Sequence, residues 1–428
     1  MLAHGILLTA ALTAVWGADG ALKAGGAQVP GSTGLVVTQA RAGHAERLYL
    51  LDWTGQGRVL SENFAAAADP DVSFDGKRIL FAGRRSAADP WQVFEMSSDG
   101  SGARQISHEK GGCRQPVYQS RIFSLDIPDP WPQVAFVCGG ALYSSKLDGS
   151  EVQRLTYAGQ GDAGPAMLPE GRMIYSSGGR LFGINLDGTD YALFAAGTNA
   201  RSPSAVGRKV VFVEAAGQLS MVTQERPLHS HALLTAAVDG VFAAPAAFGE
   251  AAVVVAKKGP AGWGLWRLDL ATRQRTLLFD TPEFDEIQAK VVGPHPEPDG
   301  RGTVVDAASP SGHLYCLSVY TTDRPVAAGS IKKVRVLTGS DAAPVRLGEL
   351  AVEADGSFHL ELPANTRVKL QTLDPAGRVM RSSSWVWVRN KENRGCIGCH
   401  EDPELAPENV EAQAVIKKPV RLGLGDKK

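Results

Sequence analysis

The chain has 428 residues, 44% of them hydrophobic, with 48 glycines and 25 prolines, and 44 basic residues against 45 acidic ones for a net charge of −1. That length exceeds a single ordinary core, and the glycine and proline content suits a β-rich protein with many tight turns. The balanced charge argues against a nucleic-acid or anionic-membrane binder.

The N-terminal stretch "ILLTAALTAVWGADG", Ile6 to Gly20, carries an apolar core of about ten residues, which is signal-peptide length and too short for a membrane span. Residues 1–17 are expected to be removed by a cut after Gly17, which makes the protein periplasmic or otherwise exported. The basic residue usual ahead of such a run is missing, with only His4 in its place. No later stretch is apolar for long enough to span, so no transmembrane segment is expected in the mature chain.

A repeat then begins. "PDVSFDGKRILFAGR", residues 70–84, reads as strand, Asp-Gly turn, strand, and "WQVFEM", "SSDGSG" and "ARQIS" add two more strands and a second Asp-Gly turn. Four short antiparallel strands in roughly 40 residues make one propeller blade. The order recurs from Pro116, Pro165, Pro203 and Pro245. "GLVVTQ", "ERLYLLDW" and "GRVLSE", between Gly34 and Glu62, supply three strands of a further blade, and "DEIQAKVVGP" from Asp285 can supply its missing partner. The expectation is a six-bladed β-propeller over residues 34–296, closed by strands from both ends. The wording of residues 70–81 resembles the TolB-like repeat, a relative of WD40.

Cys113, just before the first strand of the third blade, and Cys138, at the end of its second, fall at the same end of a hairpin. A disulfide between them is expected, the alternative being two unrelated buried thiols. Cys316 is expected to be a core thiol.

After "PHPEPDGRG" the repeat stops. "HLYCLSVY", "IKKVRVLT", "GELAVEADGSFHLEL", "RVKLQTLDPAGRVM" and "SSWVWVR" alternate as strands, so the whole chain reads as all-β, with a small β-sandwich-like module over 312–390. A haem segment over 391–410 and a loose tail over 411–428 follow. Within that segment Cys396, Cys399 and His400 form C-x-x-C-H. Two thiols with two residues between them reach the two vinyl groups of one porphyrin, and the next residue places an imidazole beneath the iron. Half a zinc site or a redox C-x-x-C pair fits less well: a second cysteine pair is lacking, and the context is β rather than βαβ. One covalent haem c is therefore expected, with His400 as proximal ligand.

The other axial position is open between His359, Met380 and no protein ligand at all. Trp385 and Trp387 are candidates to pack on the porphyrin or to fill the sandwich core. Glu401, Asp402 and Glu404 form an acidic run beside the motif, read as solvated surface, and His229 and His231 are weighed as a metal pair without a third ligand. No nucleophile elbow, P-loop or dinucleotide fingerprint is present.

"GHLYCLSVYTTDRP", "GSIKKVRVL", "LGELAVEADGSFHLELPANT" and "RGCIGCHEDPELAP" together resemble the proteins related to the hydrazine synthase alpha subunit. The resemblance implies a propeller ahead of a c-type haem domain, with attachment through Cys396 and Cys399 and with His400 in the haem environment. It also implies a tyrosine four residues past the motif histidine as iron ligand. Glu404 stands there instead, so hydrazine synthase activity is not expected and His400 returns to iron. The reading is an exported c-type haem protein for electron transfer or small-molecule redox chemistry, using the propeller as docking scaffold. Its partner would be a redox protein or a small molecule. The alternatives are a haem oxidoreductase with an open iron site acting on a small nitrogen or oxygen compound, and a propeller interaction module with a structural haem.

Overall fold

The computed structural model describes residues 28–124, 129–159, 161–195, 197–260, 262–323, 326–399, 404 and 411–424. The expected leader, 1–17, lies outside the described residues, as do His400, Glu401 and Asp402. The described chain is all-β, and its helical content is two short 3-10 turns, Ala215–Gly217 and Ala237–Asp239.

Six sheets follow one another through the N-terminal part. The first joins Asp285–Val292 to Gly34–Arg41, His44–Asp52 and Gly57–Val59, so strands about 250 residues apart in sequence pair directly, Gly34 opposite Val292. The second runs from Ala66–Val72 to Arg104–Gln105, the third from Cys113–Phe123 to Gln153–Arg154, and the fourth from Ala163–Met167 to Ala192–Ala195. Arg201–Val206 to Ala232–Leu233 and Phe242–Phe248 to Arg275–Phe279 make the fifth and sixth. The leading strands touch in succession, and Phe242–Phe248 of the last sheet contacts Asp285–Val292 of the first.

Composition explains the layering. Second strands such as Gly34–Arg41 and Met173–Ser177 are covered on both faces and read as nearly unbroken buried runs, whereas outermost ones such as Gln153–Arg154 are exposed. The cores lie between neighbouring sheets: Val36, Leu48, Phe81 and Phe94 between the first and second, and Val210, Phe212, Leu181 and Ile174 between the fourth and fifth. The repeated Asp-Gly turns have one cause. Asp99, Asp148 and Asp187 each accept the backbone N–H and the hydroxyl of the residue two places on, Ser101, Ser150 and Thr189, at 2.6–3.0 Å. The intervening Gly100, Gly149 and Gly188 hold φ near +85°, which a side chain would resist. The hydroxyl bonds from Ser101 and Ser150 hold the Asp99 and Asp148 carboxyls below their ordinary range.

Cys113 and Cys138 are joined by a disulfide between directly opposed residues of the third sheet, Cα atoms 4.3 Å apart. The stretch after Val292 does not leave the propeller at once. Arg301–Gly302 adds a fifth, parallel strand to the third sheet beside Ile122 and Phe123.

Two further four-stranded sheets face one another in the C-terminal part. One has the order Pro344–Ala351, Lys333–Gly339, Lys369–Leu373, Val379–Ser382. The other has the order Asn393–Cys396, Ser311–Cys316, Phe358–Pro363, Val420–Arg421. Leu314, Val334, Val336, Leu360 and Leu362 fill the space between them.

Three expectations are corrected here. The motif does not follow the sandwich on a separate segment, because Asn393–Cys396 is itself an edge strand of it. The tail is docked rather than loose: Val420 and Arg421 pair with Leu360 and Glu361, and Asp355 and Ser357 accept the Gln413 and Ala414 N–H groups. Trp385 and Trp387 do not fill the sandwich core. Both enter the core between the third and fourth sheets of the propeller, while Val388 turns the other way into the sandwich. Alternation along one extended stretch thus links two cores.

Candidate functional site

The motif begins at the end of a strand held in parallel register, Arg394 beside Leu314 and Cys396 beside Cys316. Side chains alternate across that sheet, so Cys396 joins Cys316, Leu314 and Phe358 on its core-facing side, where it is half-buried at the rim. The backbone beyond it remains tied down. Leu317 and Ser318 donate to the Cys396 and Ile397 carbonyls at 2.9 and 3.2 Å, and the Cys399 N–H donates to Thr321 at 3.0 Å. Gly398 passes so close to Thr321 that a Cβ there would overlap its carbonyl oxygen. Cys399, also half-buried, is therefore fixed relative to Cys396 by main-chain contacts.

His359 is not brought to that side. It lies opposite Tyr315, one residue out of step with the Cys316–Phe358 pair, and faces away from the sandwich core beside His313, ring centroids 5.2 Å apart. Neither ring nitrogen makes a hydrogen bond of good geometry among the described residues. Burial, then the neighbouring His313, pushes His359 below its ordinary value, with the Ala414 and Lys417 backbone opposing part of the effect. Strand alternation thus removes the expected distal candidate from the Cys396 face. Met380 is exposed on the edge of the other sheet.

The stretch leading into the motif is seated on the propeller. Trp387 is fully buried, stacks on Tyr191 with centroids 4.3 Å apart, and donates to the Gly188 carbonyl at 3.3 Å. Arg389 is 3% exposed and donates to the carbonyls of Asp187 and Arg154, each at 2.9 Å, to the Tyr157 hydroxyl at 2.6 Å and to Asn365 Oδ1 at 2.7 Å. The Glu392 carboxylate accepts the Arg389 N–H at 2.6 Å and the Asp190 N–H at 2.9 Å. Burial still pushes its carboxyl above the ordinary range. Arg394 donates to the Tyr191 carbonyl. The one trace of these buried polar contacts in the chain itself is the charged run "VRNKENR" between an apolar stretch and the motif.

A second anchor lies beyond the cysteines. Glu404, its side chain 12% exposed, accepts the Leu228 N–H at 2.5 Å and faces Arg226 Nε at 3.5 Å and His229 Nε2 at 3.9 Å. Here the expected solvated acid is a contact between the motif segment and the loop between two strands of the fifth sheet. His229 and His231 do not act as a pair: His231 Nε2 turns to Glu214 at 3.2 Å. No cluster of three or more His, Cys, Asp or Glu side chains able to hold a metal occurs among the described residues.

The class defined by this architecture is a β-propeller protein whose second, smaller β module carries a C-x-x-C-H motif against the propeller wall. The hydrazine synthase alpha subunit middle domain matches residues 342–401. Hydrazine synthase subunit alpha of Kuenenia stuttgartiensis is 24% identical over 327 residues, 56% of this chain and 40% of that one. The structure of Kuenenia stuttgartiensis hydrazine synthase superposes with a TM-score of 0.78 at 20% identity, covering 91% of this chain and 71% of the other. TolB from Acinetobacter baumannii superposes more weakly, with a TM-score of 0.47 at 18% identity over 63% of this chain and 68% of that one. The chain is related to the hydrazine synthase alpha subunit. It spans 40% of the length of that curated relative.

Proposed function

We propose that the protein is an exported c-type haem protein in which one haem is attached through Cys396 and Cys399, with His400 as proximal iron ligand. The observation that carries this reading is the rim position of two half-buried cysteines on a backbone held by Leu317, Ser318 and Thr321. It suits thioether formation, which needs accessible sulfurs at a fixed separation. Bound haem would supply a one-electron redox centre. The protein's own part is to hold that centre: Trp387, Arg389, Glu392 and Arg394 on one side and Glu404 on the other secure the motif to a six-bladed propeller, which acts as scaffold. Glu404, engaged by the Leu228 N–H, supports leaving the iron to His400.

Electron transfer with a redox protein, or redox chemistry on a small molecule, follows from such a centre. The outward turn of His359 and the exposure of Met380 favour the second form, an iron whose other face is open to a small nitrogen or oxygen compound. Mass spectrometry of the full chain from an export-competent host with a haem-attachment system tests the reading. The expected product lacks residues 1–17 and carries one haem, lost in Cys396→Ser/Cys399→Ser. An unmodified mature chain would overturn it and leave a propeller interaction module. Carbon monoxide then separates the forms, because an open iron shifts its reduced spectrum and a six-coordinate one does not.

A further inference from the structure

The seam between the fourth and fifth sheets opens into a cleft of about 520 Å³ lined by Arg180, Leu193, Gly197, Thr198, Glu214 and His231. Two contacts of the motif segment with the propeller fall close to its lining residues in sequence. Tyr191, which accepts from Arg394, is two residues from Leu193, and Leu228, which donates to Glu404, is three from His231.

The polar groups of the cleft are unequally satisfied. Glu214 is occupied internally, accepting the Thr198 N–H at 3.2 Å, the Ser220 hydroxyl, and His231 Nε2 at 3.2 Å. In the neutral tautomer with its proton on Nε2, toward that carboxylate, the ring presents Nδ1 as an acceptor. The Arg180 guanidinium is exposed, and neither it nor the Thr198 hydroxyl makes a hydrogen bond among the described residues. The cleft therefore offers a cationic fork, one hydroxyl and one imidazole acceptor, with its only carboxylate already used.

We propose that this cleft binds a small oxyanion that keeps an acidic O–H, of the hydrogenphosphate or hydrogencarbonate class. Arg180 takes the anionic oxygens as a bidentate donor. Thr198 donates to a third oxygen, and the ligand O–H donates to His231 Nδ1. All four side chains involved belong to the propeller, so the site stands independently of haem attachment.

The test is calorimetric titration of the full chain with inorganic phosphate near neutral pH at fixed ionic strength, in parallel with sulfate, which has no O–H to offer. Saturable one-site phosphate binding is expected, about fivefold tighter than sulfate, the value of one neutral hydrogen bond. Arg180→Gln is expected to weaken phosphate about tenfold or more, and among the described residues Arg180 makes no hydrogen bond whose loss would unfold the chain. Cys396→Ser/Cys399→Ser protein should bind phosphate as the parent does. Absence of saturable binding, equal binding of sulfate, an unaffected Arg180→Gln variant, or binding confined to haem-loaded protein would each overturn the proposal. Since the haem-free variant reads the cleft and the mass reads the haem, the two can fail separately.

Discussion

Glu286 tests whether pairing between the two ends of the propeller region is sensitive to one buried proton. It is fully buried on Asp285–Val292, where it accepts from Gln39 Nε2 at 3.0 Å and from the Thr281 hydroxyl at 2.7 Å. Burial pushes its carboxyl up to about 7 from an ordinary 4.5, against the lowering effect of those hydrogen bonds. Between the two values the folded chain holds a proton that the unfolded chain has released. The stabilisation is complete below pH 4.5 and is lost as the pH rises through 7. A displacement of that size corresponds to about 3 kcal/mol between the two ends of the window. Glu286→Gln keeps the shape and stays neutral, so its stability relative to the parent should rise by about 3 kcal/mol from pH 4.5 to pH 8. Urea unfolding followed by tryptophan fluorescence across that range measures the difference, and any constant effect of the amide cancels. A difference independent of pH, or one that grows toward acid, would refute the reasoning.

Trp387→Ala removes a fully buried indole from the core between the third and fourth sheets, and a loss of about 3–5 kcal/mol in unfolding free energy is expected. The same variant should raise hydrogen exchange across residues 388–399, because it frees the stretch that seats the motif. Cys113→Ser/Cys138→Ser opens a bridge spanning 25 residues and should cost about 3 kcal/mol, measured against the parent under oxidising conditions. Glu404→Ala removes the acceptor for the Leu228 N–H, and exchange at that amide should accelerate while the Trp387 seat stays protected. Unchanged exchange there would remove Glu404 as an anchor.

Much of this protein could be read from local pattern. The Asp-Gly hairpins were legible because a carboxylate two residues before a hydroxyl, with glycine between them, closes the turn within a few residues. Apolar runs marked the second strands of the sheets for the same local reason, since both of their faces are covered. The spacing of Cys396, Cys399 and His400 marked the candidate site, because two thiols at that interval are a chemical statement in themselves.

What tertiary structure decided depends on groups far apart in sequence. Whether His359 can approach Cys396 turns on a register of strands from three separated segments, and one residue of alternation sends it to the opposite face. Trp385 and Trp387 read as packing on the porphyrin or in the sandwich core, and neither reading named the propeller, because periodicity tells that a residue is buried but not against what. Glu404 looked like surface charge, and it, like Arg389 and Glu392, is made a buried anchor only by the carbonyls and N–H groups of the propeller, brought in from up to 235 residues away. The chemistry of the motif is thus local in the chain, while its orientation toward the propeller comes from packing over long separations.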